Sequence, residues 1–120
     1  MDEKVFKERT KQLALRVMAL VEKLPNTRSA DVLARQVIRS ATSIGSNYRA
    51  ACRAKSPANM ITKLKIVEEE VDETIYWLEL LSSGKAISQA EVVELANEAN
   101  EILAMTVASI KTLRACSARA

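Results

Sequence analysis

Apolar residues recur along this chain at intervals of three, four and seven, the spacing of one buried face on an α-helix. Four such stretches are present, and they predict helices over about 3–24, 30–54, 57–81 and 89–115. In the first, Phe6, Leu13, Val17, Leu20 and Leu24 form a seam that Ala14 and Val21 widen, with Lys4, Lys7, Glu8, Lys11, Arg16 and Glu22 on solvated positions. In the second, Leu33, Val37, Ile44, Tyr48 and Ala51 face inward, flanked by the small residues Ala34, Ala41, Gly45 and Cys52. The third places Met60, Leu64, Val67, Val71, Thr74, Leu78 and Leu81 on its seam, and the fourth Val92, Leu95, Ala99, Ile102, Thr106, Ile110 and Leu113.

The breaks between these stretches carry stop and start signals. Pro25 ends the first helix, because proline lacks the backbone donor and disfavours helical geometry in the residue before it. Thr27 or Ser29 then caps the second. Ser56-Pro57 is an N-cap followed by proline in the first turn, and Gly84 is placed to end the third helix in a left-handed conformation. Ser88 and Glu91 have the spacing of a capping box. The weak point is Ser43-Ile44-Gly45-Ser46-Asn47, where Gly, Ser and Asn all lower helix propensity. A continuous but bent helix is expected there, with Gly45 permitting close approach of a neighbour. Short connections between long amphipathic helices predict an all-α, antiparallel up-down-up-down four-helix bundle, one domain over residues 1–120.

Composition narrows the chemistry. Two glycines, two prolines and 3% aromatics argue against a sheet with many tight turns, and the core must be built from Leu, Val, Ile, Ala and Met. The chain has no His, which weakens every His-based catalytic or metal site, and no nucleophile–base set, phosphate loop or dinucleotide fingerprint stands out. No enzymatic activity, cofactor or metal is therefore expected. Without a long uncharged run or a secretory leader, the reading is cytoplasmic with no membrane partner, and Cys52 and Cys116 are expected as reduced thiols.

Charge is unevenly spread. Residues 25–57 hold six basic and one acidic residue, whereas 58–84 hold two basic and six acidic. On a helix turning about 100° per residue, Arg28, Arg35, Arg39, Thr42, Ser46, Arg49 and Arg53 fall within roughly an 80° arc. That stripe runs roughly 37 Å and offers several guanidinium groups to a phosphate backbone. Two readings stay open. Arg35, Arg39, Arg49 and Arg53 contact RNA or DNA with low sequence specificity, or the basic second helix pairs with the acidic third, within or between subunits, in a scaffold that binds a protein partner. Ile66, Trp77 and Leu80 lie beside the acidic side of the third helix, off its main seam. With Glu73 they form a candidate oligomer interface. The run Glu68-Glu69-Glu70-Val71-Asp72-Glu73 spreads around several helix faces, so it reads as surface rather than as paired catalytic carboxylates.

The segments ARQVIRSATSIGSNYRAACRAKS and KLKIVEEEVDETIYWLELL resemble the four helix bundle protein family that includes the bacterial 23S rRNA-intervening sequence proteins. Arg39, Ser40, Ala41, Ser43, Ile44 and Asn47 match its second-helix pattern, and Asp72-Glu73-Thr74 with Tyr76-Trp77-Leu78-Glu79-Leu80 match the third. The resemblance implies an up-down bundle assembling as a homopentamer. A related branch, the accessory proteins of diversity-generating retroelements, implies basic bundles that bind nucleic acid and a reverse transcriptase. Gly45 stands where many intervening-sequence members carry Pro, and Tyr48-Arg49-Ala50-Ala51 replaces their Ala-Glu-Gly run, which places this chain in a neighbouring branch.

Overall fold

Each of the first three helices begins where a small polar side chain takes up an orphan backbone amide. Asp2 accepts from the N–H of Val5 and opens α1 (Glu3–Val21). Thr27 accepts from Ala30 and opens α2 (Arg28–Cys52). Ser56 accepts from Asn59, with Pro57 in the first turn of α3 (Pro57–Ser83). The last helix is α4 (Gln89–Arg119). The computed structural model describes residues 2–84 and 87–119.

The ends differ from the sequence expectations for local reasons. α1 stops at Val21, three residues early, because Lys23 and Leu24 donate to the carbonyls of Leu20 and Val21 in tighter turns ahead of Pro25. Leu24 still packs on the core from outside the helix. α2 begins at Arg28 and ends at Cys52, after which the N–H groups of Arg53 and Ala54 close on Ala50 and Ala51. Gly84 is right-handed, at φ −77°, rather than left-handed, since its N–H continues the last turn of α3 onto the Leu80 carbonyl. Glu91 does not reach back to Ser88; its carboxylate instead accepts from Lys23 Nζ at 2.6 Å. α4 runs past the expected end at 115, through residues with mostly fair helix propensity.

The helices form an all-α four-helix bundle, 53 × 21 × 21 Å, in which each packs on the next and α4 closes against α1. Directions are antiparallel: Phe6 meets Tyr48 while Thr10 meets Gly45 across α1–α2, and Arg9, Arg16 and Lys23 face Glu98, Glu94 and Glu91 across α1–α4. Fully buried Phe6, Leu13 and Val17 from α1 interlock with Val37 and Ile44, with Leu64, Val67, Val71 and Leu78, and with Ala99 and Ile102. Burying each Leu, Val, Ile or Phe contributes about 1.5–3 kcal/mol, so this shared seam rather than helix propensity holds the bundle.

α2 is continuous through its weak segment. Ser43 and Ser46 donate to carbonyls one turn back, at 3.0 and 3.1 Å, and Asn47 Nδ2 donates to the Ser43 carbonyl at 2.9 Å, so side chains that favour turns are engaged along the helix. Gly45 faces α1, where an added Cβ would lie 3.3 Å from Thr10 Oγ1. Four buried hydroxyls, those of Thr10, Ser40, Thr74 and Thr106, likewise bond to carbonyls within their own helices. Among the described residues no helix is long and apolar enough to cross a membrane.

Candidate polyanion-binding surface

The arginine stripe of α2 faces outward, but its members have different surroundings. Arg35 is exposed and pairs with Asp31 one turn earlier on its own helix, at 2.9 Å. Arg39 reaches across to α3, where it meets Glu73 at 2.7 Å and Glu70 at 3.4 Å while its Nε donates to Gln36 at 3.3 Å. Arg28, Arg49 and Arg53 are exposed and have no ion-pair partner among the described residues.

Arg49 and Arg53 line a groove of about 990 Å³ between α1 and α2, together with Thr42, Ser46 and, from α1, Lys4, Lys7 and Lys11. Its carboxylates are Asp2, Glu3 and Glu8. Asp2 caps α1 and Glu3 is held by Lys7 at 3.0 Å, an ion pair that draws the exposed Glu3 carboxyl below its ordinary range. Gly45 and Ala50 floor part of the groove, so small residues leave room for a ligand to approach the backbone. Lys4 and Lys11 were legible only as solvated positions, because periodicity assigns a face to each helix and not the neighbour across it.

A second set of cations is committed to folding. Arg9 is bidentate to Glu98, with Nε 3.0 Å from Oε2, and also meets Glu101 at 3.2 Å. Arg16 meets Glu94 at 3.0 Å and Lys23 meets Glu91 at 2.6 Å, which completes a ladder along α1–α4. Arg16 is thus paired rather than simply solvated. The Arg9 guanidinium, by hydrogen bonding, holds the Glu98 carboxyl below the usual carboxylate range despite partial burial.

These pairings leave the molecule electrically polar along its length. Residues 68–84 and 87–101 carry ten Asp or Glu and no Lys or Arg, while 45–67 and 102–117 carry seven Lys or Arg and no Asp or Glu. The acidic stretches form the α3–α4 hairpin end, where Arg9, Arg16, Lys23 and Arg39 offset them. The basic stretches meet at the opposite end, where the start of the chain brings Asp2, Glu3 and Glu8. Sums taken helix by helix hide this, because the sign changes inside α3 and inside α4.

The candidate interface residues occupy three environments. Ile66 and Leu80 are half-buried outside the core, with Tyr76 53% exposed nearby on the same helix. Trp77 instead packs against the core, its Nε1 fully covered and without an acceptor among the described residues, its ring 5.2 Å from that of Tyr76. Glu73 is engaged by Arg39 of its own chain. Cys52 and Cys116 are free thiols, and burial pushes the Cys52 thiol up, away from the thiolate form a nucleophile needs. Among the described residues no three His, Cys, Asp or Glu side chains are grouped to hold a metal ion.

The chain matches the 23S rRNA-intervening sequence protein family over residues 2–108. The crystal structure of a protein of unknown function from the S23 ribosomal protein family of Bacteroides thetaiotaomicron superposes with a TM-score of 0.84. It is 37% identical, covering 92% of this chain and 99% of that one. Among curated proteins none matches.

Proposed function

The chain belongs to the 23S rRNA-intervening sequence protein family, and from that premise we propose a non-enzymatic, oligomeric bundle that contacts nucleic acid or ribonucleoprotein through its basic end with low sequence specificity. The observation that carries this reading is the α1–α2 groove, where Arg49 and Arg53, without an ion-pair partner among the described residues, stand beside Lys4 and Lys11. Cations already paired would have to give up their partners to bind phosphate; these would only release solvent and counterions. Arg49 and Arg53 are therefore the principal phosphate contacts. Arg35 contributes where a ligand runs the length of α2, and Arg39 serves chiefly to tie α2 to α3. Few aromatic rings are exposed, so binding rests on charge and shape rather than base stacking. The family's name makes RNA the first ligand to test.

Self-association is part of the proposal. Ile66, Leu80 and Tyr76 present more apolar surface on α3 than a solvated helix needs, and the family resemblance suggests a pentamer. Leu80→Asp should lower the molecular mass measured by light scattering without lowering helicity; an unchanged oligomer would exclude this face. For the nucleic-acid reading, the Arg49→Glu/Arg53→Glu double variant should lose at least about tenfold in affinity for structured RNA while assembling normally. Equal binding by the variant would overturn the assignment.

The pairing of Arg39 with Glu70 and Glu73 favours a second reading, a scaffold whose basic and acidic helices satisfy each other. Under it, RNA binding is absent and Arg39→Glu acts on stability alone, with rescue by Glu73→Arg.

A further inference from the structure

The hydroxyls on the α2 wall of the α1–α2 groove give their protons to their own helix. Thr42 Oγ1 donates to the carbonyls of Ile38 and Arg39, at 2.7 and 3.2 Å, and Ser46 Oγ donates to that of Ser43 at 3.1 Å. A hydroxyl has one proton and two lone pairs, so what Thr42 and Ser46 turn to the groove is acceptor capacity. Both residues are exposed and four positions apart, about 6 Å along the helix axis, and Arg49 and Arg53 continue the same wall. The carboxylates that line the groove are each engaged within α1: Asp2 with the Val5 N–H, Glu3 with Lys7, and Glu8 with Gln12 Nε2 at 2.9 Å. Two acceptor hydroxyls thus stand in line with two cations that have no ion-pair partner among the described residues.

We propose that this wall selects a ribose-phosphate backbone, with phosphates on Arg49 and Arg53 and a ribose 2′-hydroxyl donating to Thr42 or Ser46, so that the groove prefers RNA to DNA. Phosphate oxygens only accept, and a deoxyribose-phosphate backbone has no donor of its own. The ribose 2′-hydroxyl is the one donor that a nucleic-acid backbone offers. Acceptor hydroxyls beside guanidinium groups match that pairing of donor and negative charge, whereas a wall for phosphate alone would present donors throughout. Gly45 and Ala50, small residues that line the groove beside these hydroxyls, leave room for a sugar to approach them. Recognition of the sugar needs no base contact, which agrees with the scarcity of exposed rings and keeps sequence preference low. This inference rests on the nucleic-acid reading of the same groove and adds to it the sugar that the groove selects.

The test measures fluorescence anisotropy of three single strands of one sequence built from A and C, carrying ribose, deoxyribose or 2′-fluororibose, on the intact protein at one salt concentration. Single strands remove the difference between A-form and B-form duplexes, and fluorine keeps the ribose pucker while removing the donor. The ribose strand should bind at least about fivefold more tightly than either of the others, the worth of one or two hydrogen bonds. Thr42→Val/Ser46→Ala, confined to exposed positions, should bring RNA down to the affinity of DNA with helicity unchanged. Arg49→Glu/Arg53→Glu should weaken all three strands at least about tenfold. Equal binding of the three strands by the native chain, unchanged RNA affinity in the hydroxyl variant, or an equal loss on all three strands in it would each overturn the sugar preference and leave the phosphate contacts in place. No binding of any strand, or undiminished binding by the arginine variant, would overturn the nucleic-acid reading and this inference with it.

Discussion

Gly45 is where one methyl group decides how closely α1 and α2 pack. An added Cβ would meet Thr10 Oγ1 at 3.3 Å, closer than side chains ordinarily sit, while the gain in helix propensity over glycine is about 1 kcal/mol. These offset, so Gly45→Ala should change stability by no more than about 1 kcal/mol. Gly45→Leu should cost about 1–3 kcal/mol through overpacking, read as a shift in the urea midpoint. Across the bundle, the buried hydroxyls of Ser40 and Thr74 lie 2.8 Å apart, and Thr74 also lies 2.8 Å from the Glu70 carbonyl. Ser40 donates to the Val37 carbonyl at 3.3 Å, and Thr74 shares its proton between Ser40 and the Glu70 carbonyl. Ser40→Ala should therefore cost about 1 kcal/mol, the net worth of one hydrogen bond, because Thr74 keeps its carbonyl acceptor. The close approach at Gly45 was legible in the sequence, where a glycine sits on the flank of an otherwise regular helix. The Ser40–Thr74 bond was not, because its two residues are brought together only by the register of α2 on α3.

At the scale of helices, the α1–α4 seam rests on charge more than the others: among the described residues three cations, Arg9, Arg16 and Lys23, meet four carboxylates there, whereas Arg39 alone bridges α2 to α3. Glu98 has a lowered carboxyl pKa through its bond to Arg9, so its contribution is present above the unfolded-state value of about 4.3 and is lost as pH falls through the lower folded value. Unfolding monitored by circular dichroism should show stability decreasing from about pH 5 downward, with a shallower decrease in Glu98→Gln. At neutral pH, Arg9→Ala should cost about 1–2 kcal/mol, between the values for exposed pairs and for charged, partly buried hydrogen bonds. The existence, order and inward faces of the helices could be read from periodicity alone. The ladder of Arg9, Arg16 and Lys23 could not, since it exists only because α4 closes the ring against α1. Charge totals pointed to pairing of α2 with α3, which Arg39 makes with Glu70 and Glu73, but gave no hint that α1 is held to α4 by the same means.

At the scale of the molecule, the separation of charge along the long axis organises the proposed phosphate surface. The reversal of sign falls between Val67 and Glu68 in α3 and between Glu101 and Ile102 in α4, and only the antiparallel arrangement brings the two basic halves to one end. The arginine stripe was visible in the sequence as a face. That Arg39 is occupied, while Arg49 and Arg53 have no ion-pair partner among the described residues, depended on where α3 and α1 lie. The most direct test of the account is the slope of log affinity against log salt for structured RNA, measured on the intact oligomer. Arg49→Ala/Arg53→Ala should reduce the magnitude of that slope by about 1.5, two phosphate contacts fewer, whereas Arg39→Ala should leave it unchanged. Slopes that are identical for all three proteins, or that fall only in Arg39→Ala, would contradict the placement of the phosphate surface at the basic end.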